Sequence, residues 1–379
     1  MIPLLIATCV NLTALGVMLP ALPFYVTAHG AGPEVAAMIF SVFSAASLIT
    51  SPLWGRLSDR IGRKPVMLIS VACTCLSYIW LANADSLWEL YASRAIAGAT
   101  AGWLTASQAY IADITTPENR ARGLGFLGAT FGVAFTIGPA ITVLAPVDLS
   151  QLAMISAGFT AVGFVLALIL VKEPARHAAP ARSRLDFGMF RAPVLVRLFA
   201  VYFCIYLSFT GLEGTFALWT RELFGYGQQE VGLYFVYIGL LVIAFQGGLV
   251  GPFVKRFGEA RTALIGIVTL AIGLGTLPAA STPWLVALPL GLVVFGFSVF
   301  GPAVQSLMTR HAADDQKGAI MGVAQSFASA ARIAGPAWAG YVFAGLGIHW
   351  PYIISGLLLA PVALAVLPLM RKNTIRAAP

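Results

Sequence analysis

The stretch "GRLSDRIGRK", Gly55–Lys64, carries five charged residues in ten, while charged residues make up only 10% of the 379-residue chain. Long apolar sequence closes in on both sides of it, and Gly55 and Gly62 frame it. A short, charged, glycine-framed connector between apolar runs is what a chain shows where it turns at the surface of a bilayer. The composition agrees, with 59% hydrophobic residues and a mean hydropathy of +0.87. Soluble domains are nearer half apolar and a quarter charged. Apolar runs of about 20 residues recur along the chain, enough to cross a ~30 Å hydrocarbon core as helix. The runs are unbroken rather than alternating, so their backbone is satisfied by helices and not by a barrel. The fold class expected is an all-α polytopic membrane protein.

Cutting the chain at clusters of charge and turn residues gives twelve spans, in two sets of six. The first set is 4–27, 34–56, 65–83, 87–112, 121–144 and 149–171; the second is 196–220, 230–253, 262–279, 284–309, 317–344 and 350–370. The expected domains are therefore a six-helix half at 1–171, a linker at 172–195 and a second half at 196–379. Of the 23 Lys and Arg, all but Arg94, Arg221 and Arg332 fall on one alternate set of connectors, the linker and the C-terminal end. Basic residues collect on the cytoplasmic side of membrane proteins. This predicts a multi-pass protein of the cell (inner) membrane with both termini and the linker in the cytoplasm.

The net charge of +8 does not point to nucleic acid, because the basic residues sit in small groups between apolar runs and not along one polar helix face. Cys9, Cys73, Cys75 and Cys204 lie inside apolar runs and read as small apolar residues. The chain opens on an apolar run with no basic n-region before it and no small-residue cleavage site, so no removable signal peptide is expected. No phosphate-cradling Walker loop is present, which excludes ATP as the energy source from this chain. His29, His177, His311 and His349 lack metal-ligand spacing. No enzyme, metal or cofactor is expected.

The connector has a second copy. Shifted by 196 residues, it falls on "GPFVKRFGEAR", matching Gly55 to Gly251, Arg60 to Arg256 and Gly62 to Gly258. At a shift of 197, Gln108 meets Gln305, Arg120 meets Lys317, Gly125 meets Gly322, and Gly138-Pro139 meets Gly335-Pro336. Two six-helix halves in parallel repeat point to a secondary transporter that rocks around a midplane site.

At this point the chain resembles the major facilitator superfamily along essentially its whole length. Gly55, Asp59, Arg60, Gly62, Arg63 and Lys64 match that superfamily's loop 2–3 signature residue by residue. "LYASRAIAGATAG" in span 4 resembles the motif with a membrane-embedded arginine, here Arg94. "GATFGVAFTIGPA" in span 5 resembles the Gly-rich motif of the antiporter branch, with Ala140-Ile141 where Gly-Gly often follows Gly-Pro. "LGVMLPALPFY" in span 1 resembles twelve-span drug:proton antiporters, the tetracycline-efflux group among them. The resemblance implies that the loop latches the two halves in the outward-facing state, with Asp59 meeting span 11. It also implies a role for Arg94 in proton handling.

Three charges lie well inside spans: Arg94, Glu213 and Arg332. Such a charge costs about 2.5–3.5 kcal/mol on insertion scales, so it pairs or lines a cavity. Glu213, in "FTGLEGTFALW", is the acidic residue placed deepest, whereas Glu89 and Asp113 sit nearer span ends. A carboxylate in a low-dielectric setting holds its proton more tightly, as a group that loads and releases protons near neutral pH must. Glu213 and Arg94 are the expected proton-coupling residues. The guanidinium of Arg332 suits a carboxylate or phosphate on a substrate.

The remaining substrate-binding candidates are Asn11, Gln108, Gln246, Gln305 and Gln325, with the aromatics Phe131, Phe135, Tyr206, Trp219, Tyr234 and Tyr237. Gly128, Gly132 and Gly138-Pro139, with Gly335-Pro336, are expected either to pack helices closely or to act as hinge and seal between the halves.

The function expected is a proton-coupled antiporter exporting small amphipathic organic molecules, with anionic or zwitterionic ones favoured. Protons and the organic substrate are its partners, and it is expected to act as a monomer. An uptake symporter for an organic anion or metabolite is the alternative. A non-transporting receptor or lipid-handling protein is the alternative from another class.

Overall fold

The computed structural model of the chain describes residues 1–144, 148–174, 192–311 and 316–375. Most of the expected linker, residues 175–191, lies outside them. The described residues form helices and connectors, with no strand among them. In chain order the helices are α1 (Ile2–Met18), α2 (Leu22–Ala28), α3 (Pro33–Ile61), α4 (Arg63–Ala82), α5 (Leu87–Ala99), α6 (Gly102–Ile114), α7 (Pro117–Leu144) and α8 (Leu149–Leu170). They continue as α9 (Pro193–Phe224), α10 (Gln228–Ala244), α11 (Val250–Phe257), α12 (Glu259–Thr276), α13 (Pro283–Arg310), α14 (Lys317–Leu346) and α15 (Trp350–Ile375).

Among the described residues, ten segments are long and apolar enough to cross a membrane. The two expected spans outside that set are the fourth and the eleventh. The eleventh falls on α14, 30 residues long, whose apolar content is diluted by Gln325, Ser326, Ser329 and Arg332. The fourth, expected as one run, breaks into α5 and α6 at Thr100-Ala101.

A helix break inside lipid needs partners for the freed backbone groups, and side chains supply them here. Trp54 Nε1 donates to the Ala99 carbonyl at 2.7 Å, and Ser70 Oγ donates to the Thr100 carbonyl at 2.6 Å. The backbone N–H of Trp103 then donates to Ser70 Oγ at 2.8 Å. Two further spans are irregular. Pro20 lies where α1 gives way to α2, and a π-helical turn, Phe245–Leu249, joins α10 to α11 around Gln246.

The helices pack as two compact units. Unit 1 comprises Met1–Pro180 with Thr220–Leu240, and unit 2 comprises Ala181–Trp219 with Leu241–Pro379. The units thus differ from the repeat-based halves in the placing of one segment. Gly232 and Gly239 account for it: a Cβ on Gly232 would lie 2.8 Å from Val143 Cγ2, and one on Gly239 2.8 Å from the Phe135 carbonyl. Only glycines let α10 approach α7 so closely.

Inside unit 1, Leu4, Val66, Val71, Trp103, Tyr110 and Leu127 meet in a core shared by α1, α4, α6 and α7. There α7 crosses α1 at Gly16 and Gly138, where a Cβ on Gly138 would sit 2.5 Å from the Gly16 carbonyl carbon. Thr142 Oγ1 ties the crossing by donating to the Val17 carbonyl at 2.9 Å. Inside unit 2 the repeat-related helices do the same. A Cβ on Gly335 of α14 would lie 2.8 Å from the Leu207 carbonyl of α9, and Thr210 Oγ1 donates to the Ala331 carbonyl at 3.2 Å.

Candidate functional site

The connector of unit 1 is an ion-paired turn. Gly62 ends α3 with φ +109°, a conformation that side chains with a Cβ rarely adopt, and Arg63 opens α4. The Arg63 guanidinium donates to Asp113 Oδ2 at 2.7 Å, to Asp59 Oδ1 at 2.6 Å and to Ser58 Oγ at 2.7 Å. Asp59 therefore meets the side chain of Arg63. The acceptor seated on the N-terminus of α4 is Glu173, whose two oxygens take the N–H groups of Arg63 and Lys64 at 2.6 and 2.7 Å. Lys64 Nζ also donates to the Leu168 carbonyl at 2.8 Å.

Glu173 was not singled out from the sequence, where it reads as one more linker residue. Its signal is a carboxylate just past a span end, facing a helix that starts with two cations.

Arg94 is buried in unit 1, at 2% exposure. Its guanidinium carbon lies 4.9 Å from the centre of the Tyr78 ring, Nη2 donates weakly to Ser77 Oγ at 3.4 Å, and Nε is buried without a partner. Among the described residues it has no carboxylate partner. Asn11 also keeps a buried, unbonded Oδ1, beside Gly163 of α8. Gln108 is exposed, and Phe131 and Phe135 lie along α7 with ring centres 6.4 Å apart. Tyr234 and Tyr237 are half-buried on the part of α10 that belongs to this unit.

In unit 2 three of the predicted residues, Arg332, Tyr206 and Gln305, come together. Arg332 of α14 lies over the Tyr206 ring of α9, its guanidinium carbon 5.1 Å from the ring centre. Tyr202 O–H donates to Tyr206 Oη at 3.3 Å, and Gln305 Nε2 of α13 donates to Tyr202 Oη at 2.9 Å. Phe297 stands edge-on to Tyr206 at 5.1 Å and stacks on Phe209 at 3.9 Å. Glu213 lies seven residues beyond Tyr206 on α9, about 10 Å along the axis and on the same helical stripe. It is half-buried and makes no hydrogen bond or ion pair among the described residues, and Arg332 is the charged group whose field reaches it.

Tyr202, Phe209 and Phe297 were missed in the sequence because nothing separates them from the other aromatics of a chain with 24 Phe. Trp219 is fully buried, packed on Tyr352 and donating from Nε1 to His349 Nδ1 at 3.2 Å. Gln246 and Gln325 are exposed. Gly128 has open space where a Cβ would stand, and Gly132 offers its carbonyl to Thr136 Oγ1 at 2.9 Å. Pro336 packs on Gly214, one residue past Glu213, where a Cβ would meet Pro336 Cβ at 2.8 Å.

The second connector repeats the first with the signs exchanged. Gly258, φ +75°, precedes Glu259 at the start of α12. Glu259 is buried, accepting from Arg310 Nη1 at 2.9 Å and from Ser306 Oγ at 2.7 Å.

The family model of the Major Facilitator Superfamily matches residues 4–250 and 198–379. The class C tetracycline resistance protein of Escherichia coli is 28% identical over 370 residues, covering 95% of this chain and 93% of that protein. Major facilitator superfamily domain-containing protein 10 of Mus musculus is 30% identical over 357 residues, covering 86% and 77%. The crystal structure of the human organic anion transporter MFSD10 superposes with a TM-score of 0.73 at 25% identity, covering 96% of this chain and 98% of that one. The chain belongs to the Major Facilitator Superfamily and is an integral, multi-pass membrane transporter.

Proposed function

We propose that this chain is a proton-coupled antiporter that exports small amphipathic organic molecules, anionic or zwitterionic ones favoured, by alternating access. The observation that carries the reading is the pair Glu213 and Arg332 in unit 2, two membrane-embedded charges that neither neutralise each other by contact nor hydrogen-bond to described neighbours. A half-buried charge inside a span with no ion-pair partner lines a pathway more readily than a core. Glu213 is the group that loads and releases the proton, and Arg332 with the aromatic wall of Tyr206, Phe297 and Phe209 holds substrate. The tetracycline resistance relatives support export of an organic solute, and the relative named as an organic anion transporter supports an anionic group on that solute.

The connector at Arg63 belongs to the gate, on the basic and hence cytoplasmic side of a cell inner membrane. Gly232 and Gly239 against α7 suit a tight seal, which exchange requires to limit ion leak. No cofactor is involved beyond the proton, and a single chain suffices.

The second reading is an uptake symporter for an organic anion or metabolite. Reconstitution in proteoliposomes with a pH-sensitive dye separates them. Substrate addition drives protons opposite to substrate in the proposed antiporter, and in the same direction in a symporter. Absence of any proton or substrate flux supports a receptor-like protein.

A further inference from the structure

The charge of the transported solute follows from how Glu213 and Arg332 share one electrostatic environment, and this step rests on the antiport reading above. Arg332 meets no carboxylate among the described residues, and its guanidinium is spread over the half-buried Tyr206 ring. The hydrogen-bond chain beside it has a direction. Gln305 donates to Tyr202 and Tyr202 donates to Tyr206, so the Tyr206 hydroxyl proton is left to donate onward. Donation along such a chain strengthens the last donor. A guanidinium and a polarised hydroxyl thus stand together at one end of the α9 stripe, ready for an anionic group. At the other end stands Glu213.

The elements packed around this stripe add few other ionisable groups among the described residues. α14 brings Arg332, α15 brings Tyr352, which bonds Thr215 Oγ1 at 3.1 Å, His349 just before α15 bonds Trp219 at 3.2 Å, and α13 brings Phe297, Ser298 and Gln305, with Arg310 only at its far end.

Linkage then fixes the sign of coupling. A solute that carries only an anion binds Arg332 best when Glu213 is protonated and neutral, because an ionised Glu213 already draws on the same positive charge. Anion and proton then favour each other's binding and travel together, so of the two solute classes favoured above the purely anionic one does not exchange. A solute that presents a cation to Glu213 binds best when Glu213 is ionised, so solute and proton exclude each other. Coupling of this kind is reciprocal. Exchange therefore needs a cation at Glu213, while Arg332 and Tyr206 still call for an anion. We infer that unit 2 is built for zwitterionic amphipaths, with the anionic group held by Arg332 and Tyr206 and the cationic group replacing the proton at Glu213.

The test uses three compounds on one aromatic scaffold in proteoliposomes: 4-(aminomethyl)benzoic acid as the zwitterion, with its charges at opposite ends of the ring, its N-acetyl derivative as the anion and its methyl ester as the cation. Tetracycline runs in parallel. The zwitterion is expected to move against protons. Arg332→Gln is expected to lower its exchange about tenfold, the loss of one charge-assisted contact, while the methyl ester changes less than about twofold. Glu213→Gln is expected to abolish proton movement with both. Exchange of the N-acetyl anion against protons overturns the inference, as does an Arg332→Gln protein that moves the zwitterion normally. Exchange of tetracycline with none of the three compounds also overturns it, and leaves the antiport reading intact. If tetracycline and the three compounds all move without proton exchange, or not at all, the antiport reading fails first.

Discussion

The two repeat-related connectors share a turn and differ in how they treat a helix end. Each uses a glycine at positive φ, Gly62 or Gly258, followed at once by a helix whose first residue pairs with the far end of another helix. In unit 1 that first residue is a cation, Arg63, paired with Asp113; in unit 2 it is an anion, Glu259, paired with Arg310. A helix N-terminus favours negative charge. α12 therefore starts with its own acid, whereas α4 starts with Arg63 and Lys64 and takes a carboxylate from Glu173, past the end of α8. The same ion pair with reversed signs leaves unit 1 dependent on a third segment. The lesson is that the matching halves of a repeat share geometry more closely than charge.

Breaking the pair tests that dependence. Arg63→Ala removes the guanidinium that joins Asp59 to Asp113, and is expected to cost about 2–3 kcal/mol, below the full value for a buried pair because the site is part-exposed. The thermal unfolding midpoint in detergent reads it. The glycines separate the two connectors more finely. Alanine at positive φ costs about 1–2 kcal/mol, and Gly258→Ala is expected to cost only this, since open space surrounds it. Gly62→Ala is expected to cost more, because its Cβ would stand 2.6 Å from Glu173 Oε1 and displace the cap. Equal losses at the two glycines would remove Glu173 from the account. Glu173→Gln is expected to have the smallest effect, about 0.5–1 kcal/mol at low salt, shrinking as ionic strength rises because the site is exposed.

How much of this was legible depends on whether a signal lay within one segment. The turns at Gly62 and Gly258 were legible, because charge and glycine interrupt an apolar chain there. Glu213 and Arg332 were legible because ionisable residues inside spans are rare. The partner Asp113 lies 50 residues from Arg63 and the cap Glu173 lies 110 away, so only packing brings them together. The break at Thr100-Ala101 was invisible for the same reason: it is held by Trp54 and Ser70 from neighbouring helices, and no proline marks it. Tyr202 lies between Gln305 and Tyr206, and Phe297 between Tyr206 and Phe209, so both take their meaning from packing and not from sequence.

The proposed mechanism turns on a single carboxylate, and Glu213→Gln tests it most directly. In proteoliposomes loaded with the best-exported drug, two rates are compared: drug-for-drug counterflow at equal pH, and net drug movement driven by a pH gradient. The variant is expected to retain counterflow, lowered about tenfold by the loss of one charge-assisted contact, because glutamine keeps the shape of the site. Gradient-driven transport and its dependence on pH are expected to disappear. Gradient-driven transport that persists in the variant with an unchanged pH profile would contradict the account and assign the proton to another group.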